Sequence, residues 1–189
     1  MSDTVKIANG LLKAKLADIT EDGSYGTPYA ICDLTEMSAE TSESSVSLPA
    51  GNRIIYSKSS IGKTNGSISF YDIYEEVKAK IFDTKVNSTG GVLYSTKANV
   101  GYKVLIIEQT VVNSATGLES TVCLIFPKVS LGKSISEAGS TKDADGNETN
   151  NTKSLSFEAM SLDSGVYKLV QPGECPATIT AALFTAVEG

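Results

Sequence analysis

The chain has 189 residues, 41% of them apolar, which suits one domain with a buried core. Its formal net charge is −6, with no cluster of Lys and Arg, which argues against an outer surface built to grip DNA or an anionic membrane. It contains no His, which removes Ser-His-Asp and Cys-His catalysis, HExxH zinc sites and the usual general base near neutral pH.

The first residues, "MSDTVKIANG", carry no apolar stretch of the kind a signal peptide needs, and they predict a flexible arm over residues 1–10. No apolar run approaches the roughly 20 residues of a membrane span, so no membrane partner is expected. "LLKAKLADI" predicts a strand from Leu11 to Ile19, ended by the turn residues Asp22, Gly23 and Gly26. A second strand is expected from Tyr29 to Leu34. Residues 35–53, "TEMSAETSESSVSLPAGNR", are polar and acidic, with Met37, Val46 and Leu48 as their only sizeable hydrophobes. They predict a long loop or the arms of a projecting hairpin, and a segment that orders against a neighbouring subunit.

A strand at "SISF" precedes the only stretch that reads as a helix, over about residues 72–83. Asp72 and Glu75 have the spacing of a capping box, with Asp72 as the cap. Glu75 and Glu76 fall in the first turn and Lys78 and Lys80 later, as the macrodipole prefers. Ile73, Tyr74, Val77 and Ile81 lie within a stripe about 100° wide, the expected packing face. A helix of this length is marginal alone, so it must lie on the surrounding strands.

"VLYST" predicts a short strand. "YKVLIIEQTVV" (102–112) and "TVCLIFPKVSLGKSI" predict a hairpin, "SLSFEAMSLD" and "GVYKLVQP" two further strands, and residues 172–189 a final strand or docking segment. Eight or nine strands and one helix argue for a mainly β fold, an antiparallel β-sandwich or open barrel with one flanking helix. Cys32, Cys123 and Cys175 are odd in number and widely spaced, so reduced thiols are expected, with Cys123 a small buried hydrophobe.

Motifs of chemistry fail on inspection. "GKT" (62–64) and "GKS" (132–134) lack the upstream Gly of a phosphate-binding loop, since Ser57 and Pro127 stand there, and they read as Gly-containing turns. "DADGNE" (143–148) places Asp143, Asp145 and Asn147 at calcium-loop spacing, but its Gly is misplaced and Ser154 replaces the closing Glu. No catalytic residue, metal or cofactor is expected, and the chain does not read as an enzyme.

The order of features resembles the major tail proteins, or tail-tube proteins, of siphophages. "GLLKAKLADITEDGSYGTPYAI" is similar to their opening strand, turn and second strand, and "SLPAGNRII" to the exit from their long loop. "GSISFYDIYEEVKAKIFDTKVNSTGGVLY" resembles their strand, helix and return. "GYKVLIIEQTVV" with "TVCLIFPKVSL" resembles their central hairpin, and "SLSFEAM" with "GVYKLV" their closing strands. The resemblance covers residues 5–171 and stops at Pro172. It implies a tail-tube domain over 11–171, with a 172–189 extension, and a virion protein made in the host cytoplasm. It also implies hexameric rings stacked into a tube through which DNA passes without tight binding. Tape measure, tail terminator and distal tail proteins are the implied partners. The subunit-contact residues of the 35–53 loop would be Met37, Glu40, Glu43, Val46, Leu48 and Arg53. The alternatives are a cell-surface or carbohydrate-binding β-sandwich, against which the missing Trp counts, and a His-free hydrolase, which no motif supports.

Overall fold

Runs of Val, Ile, Thr, Tyr and Phe broken by Gly and Asn turns favour strands, and strands dominate the computed structural model, which describes residues 6–51, 53–95, 101–137 and 151–185. In chain order the elements are β1 (Lys6–Asp18), β2 (Tyr29–Cys32), β3 (Glu36–Ala50), β4 (Arg53–Phe70), α1 (Glu75–Phe82), β5 (Lys85–Val86) and β6 (Val92–Leu93). Then come β7 (Lys103–Asn113), β8 (Glu119–Leu131), β9 (Ser136–Glu137), β10 (Lys153–Ala159), β11 (Leu169–Pro172) and a 3-10 turn (Ala181–Phe184). Nine strands form one antiparallel sheet in the order β2-β1-β7-β8-β10-β4-β3, with β11 beside β8 and β9 beside β10. β5 and β6 pair separately. The mainly β expectation therefore holds.

β2 and β3 stand at opposite ends of that path, yet only residues 33–35 separate them in the chain. The sheet must curl until its two ends meet. Ile31 of β2 and Ile68 and Phe70 of β4 accordingly share one core with Leu105, Phe126 and Phe157. The Phe126 and Phe157 rings lie 5.5 Å apart, centroid to centroid. Gly66 is required beside them. A Cβ there would collide with the Phe157 ring and with the Ser38 carbonyl of the neighbouring strand.

The β7–β8 hairpin is buried on both faces, as its continuous "VLII" run foretells. Leu105, Ile107 and Phe126 point into the main core. Val104, Ile106, Cys123 and Ile125 point the other way, into a second apolar layer with Ala17, Ile179 and Phe184. The C-terminal extension supplies that layer, so it is a docking segment rather than a final strand. Gly173, at φ +92°, turns the chain back, and its N–H donates to the Thr121 carbonyl at 2.8 Å. A disulfide then joins Cys123 to Cys175. The expectation of reduced thiols fails at this pair, because the turn at Gly173 brings two cysteines far apart in sequence to a Cα separation of 5.1 Å. Only Cys32 is a free thiol.

Two further expectations need correction. Residues 6–10, assigned to a flexible arm, belong to β1 and pair with β7 as far as Lys6↔Asn113. Residues 1–5 lie outside the described residues, as do 138–150 with the "DADGNE" turn. The helix also starts at Glu75, without a side-chain cap. Asp72 turns instead to cations, accepting a hydrogen bond from Lys153 Nζ at 3.0 Å and pairing with Lys78 at 3.5 Å. Tyr74 has extended backbone (φ −58°, ψ 141°), which throws its side chain off the helical stripe and leaves it 79% exposed. Ile73 and Ile81 are buried as expected, and Val77 packs against the core. The buried face is rotated toward Phe82 and includes Lys78, whose ammonium reaches Glu75 at 2.6 Å.

This placement predicts unequal costs on the helix. Ile81→Ala should lower unfolding free energy by about 2–5 kcal/mol through a core cavity. Tyr74→Ala should stay within about 0.5 kcal/mol. Denaturant melts of the two variants check this, and equal losses would overturn the helix orientation.

Candidate interaction surfaces

Of the two forms expected for residues 35–53, the structure shows the projecting hairpin and not the loop. β3 and β4 run together from Glu36↔Ser69 to Ala50↔Arg53, the longest ladder among the described residues. β10 supports β4 only between Phe70 and Thr64. Beyond that point, among the described residues, 42–50 and 53–63 have ladder partners only in each other, with Lys63 reaching back to Glu158 of β10 at 2.8 Å, and they form an arm about 30 Å long at ~3.3 Å per residue. Hydroxyl groups pair across the ribbon where a buried sheet would pair apolar side chains. Ser38 meets Ser67 at 3.1 Å, Thr41 meets Thr64 at 2.8 Å and Ser44 meets Ser60 at 2.7 Å. The "GKT" sequence lies inside β4, where the register shifts between Thr41 and Glu43, and not in a turn.

The residues expected to contact other subunits are spread along this arm. Met37 sits at its root, packed against the core. Glu40 lies opposite Asn65, Glu43 opposite Ile61, Val46 opposite Lys58, Leu48 opposite Tyr56, and Arg53 opposite Ala50 near the tip. Alternation places Val46, Leu48 and Tyr56 on one face of the ribbon, with Glu43 and Ile61 on the other. Val46, Leu48 and Tyr56 are 60%, 52% and 50% exposed. The arm thus ends in an apolar cluster with Lys58 at its side. Sequence reasoning missed Tyr56, whose signal was only its place two residues from Lys58 in a segment not read as a strand. Among the described residues, no strand pairs with the outer edge of β3.

A second surface lies where the curled sheet fails to close. A groove of about 670 Å³ opens between β2 and the segment leading into α1, lined by Ile31, Cys32, Asp33, Tyr71, Ile73 and Tyr74 among others. Burial pushes the Cys32 thiol up to about 12, and the nearby Asp33 charge adds to the shift. The hydrogen bond from Lys153 holds the Asp72 carboxyl below its ordinary value. Lys80 lies over the Tyr29 ring at 5.0 Å and ties the helix to β2. Among the described residues, no group of three or more His, Cys, Asp or Glu is placed to hold a metal ion, and no helix is long and apolar enough to cross a membrane.

No known protein family matches the chain, and no curated protein matches it either.

The groove yields a chemical prediction. Because the folded thiol of Cys32 titrates near 12 rather than near 9, its thiolate fraction at pH 8 falls roughly a thousandfold. Iodoacetamide should therefore label Cys32 far more slowly in the folded chain than in urea, with the folded rate rising about tenfold per pH unit up to pH 11. The native state also keeps a proton that the unfolded chain releases, so this site removes stability as pH rises from 9 toward 12. Equal labelling rates folded and unfolded would refute the burial of this thiol.

Proposed function

We propose that the chain is a structural subunit of a bacteriophage tail tube, which self-assembles into stacked rings around a channel for DNA. The observation that carries this reading is the arm. A two-stranded ribbon standing clear of the sheet is marginally stable in water by itself. This one presents Val46, Leu48 and Tyr56 outward and leaves a strand edge open along β3. Such a feature gains stability by lying on a neighbour, and in a self-assembling protein the neighbour is a second copy. The mainly β fold with one packed helix and the net charge of −6 accord with the reading, since an acidic wall offers passing DNA no counterion release. Other tail proteins would cap and template the tube, no catalysis or cofactor would be involved, and the finished subunit would reside in the virion.

A carbohydrate-binding role is the second reading, and the groove favours it. Tyr71 and Tyr74 stand exposed beside Asp33, an aromatic-and-carboxylate pairing suited to sugar rings. Glycan-array binding lost in Tyr71→Ala would support it over the tube.

The test shortens the arm without removing half a ladder. Replacing residues 45–59 with Asn-Gly leaves Ser44 opposite Ser60 across a two-residue hairpin turn. The full chain should form rings or tubes at high concentration, seen by electron microscopy and light scattering. The shortened chain should remain folded and monomeric, and Val46→Glu with Leu48→Glu should assemble at least tenfold less readily. Undiminished assembly of the shortened chain would refute the arm's role. A full-length chain monomeric at every concentration, or one that binds DNA below micromolar at physiological salt, would refute the tube.

A further inference from the structure

After β10 the chain crosses to the outer side of the central hairpin, and its attachment there is narrow. Among the described residues, β11 pairs only with β8, over Leu169↔Ile125 to Pro172↔Val122. Past Gly173, the described backbone bonds of the segment stay within it, from Leu183 N–H to the Thr180 carbonyl and from Thr185 N–H to the Ala182 carbonyl. Side-chain burial and one covalent bond supply the rest. Ile179 and Phe184 cover Ala17, Val104, Ile106 and Ile125, all four of which are fully buried. The covalent bond runs from Cys123, at the centre of β8, to Cys175.

We propose that residues 161–185 form a hinged flap latched by the Cys123–Cys175 disulfide, and that thiol reduction of the latch lets the flap open and uncover the second apolar face of the central sheet. The proposal stands apart from the tube reading, because it concerns how one chain covers its own sheet. Cys123 is fully buried and Cys175 half-buried, so an external dithiol attacks Cys175 Sγ. The bond to Cys123 Sγ breaks, and Cys123 leaves as a thiolate that takes a proton. The second thiol of the reductant then displaces Cys175 and closes its own disulfide, so two electrons and two protons pass to the protein. Cys32 does not compete as an internal nucleophile near neutral pH, because its thiol is held protonated. A reducing cytoplasm favours the unlatched form and an oxidising exterior the latched one.

The latch ties the flap at Cys175 to the body across the stretch from Ala159 to Cys175. Closing a loop of about 15 residues restrains the open ensemble roughly a hundredfold. Hydrogen exchange of the full chain, with and without dithiothreitol, tests this on peptides from 162–185 and 103–112. Reduction should speed exchange in 162–185 by roughly a hundredfold and leave 103–112, paired on both sides, unchanged. Cys175→Ser should reproduce the reduced pattern without reductant. A change below threefold in 162–185 would overturn the latch, and equal acceleration in 103–112 would show that the disulfide supports the whole domain instead.

Discussion

The central hairpin of β7 and β8 sets the terms for everything around it. Val104, Leu105, Ile106 and Ile107 are all fully buried, so successive side chains demand cover on opposite faces of one sheet. A single sheet cannot cover both of its own faces. The molecule meets one demand by curling, so that β2 and β4 close over the inner face with α1 laid across the opening. It meets the other with the C-terminal segment, which turns back at Gly173 over the outer face. Burial of a large aliphatic side chain is worth about 1.5–3 kcal/mol, so leaving either face wet would forfeit a large part of the domain's marginal stability.

The parts of the fold under this constraint were the parts legible in sequence. The hairpin read correctly because an uninterrupted apolar run bounded by "NSATGLES" leaves few other readings. The helix was found because its charges and its Ile73–Val77–Ile81 spacing agree. Its boundary was misplaced because Asp72 fits a capping pattern locally while Lys78 and Lys153 claim its carboxylate in three dimensions. Tyr74 was assigned to the packing face by the same shift of one turn. The disulfide left no sequence signal, since nothing in the spacing of Cys123 and Cys175 reveals that β11 and the Gly173 turn bring them together.

The arm was hard to read for the opposite reason. A strand wet on both faces has no need to alternate apolar with polar residues, so the period of two that marks a half-buried strand is absent. What remains is a row of Ser and Thr whose hydroxyls bond across the ribbon, and such a row looks like a solvated loop. Of the residues expected there for contact, only Met37 is spent on the domain's own core, while Glu40, Glu43, Val46, Leu48 and Arg53 stand free on the ribbon. The composition of the arm therefore carries information that its hydrophobic pattern does not. Residues polar on both faces, with an apolar cluster at the far end, fit the proposed docking of the arm on a second copy.

The two halves of the molecule solve one problem in different ways. The body satisfies its sheet internally, by curling, by a helix and by a segment clipped in place. Among the described residues, the arm leaves a strand edge unpaired and four large apolar side chains exposed, Val46, Leu48, Tyr56 and Ile61. Natural sheets normally blunt such edges with charge or with short strands. β3 carries Glu36, Glu40 and Glu43 near the body, but no charge along Ser44 to Ala50 toward the tip. Charge near the root opposes pairing close to the domain, whereas the uncharged outer half permits it. Under the proposed assembly, a partner strand or surface would be admitted at the far end of the arm and discouraged at its base. Such a gradient along a single strand is what would separate the proposed ordered association from indiscriminate edge-to-edge aggregation.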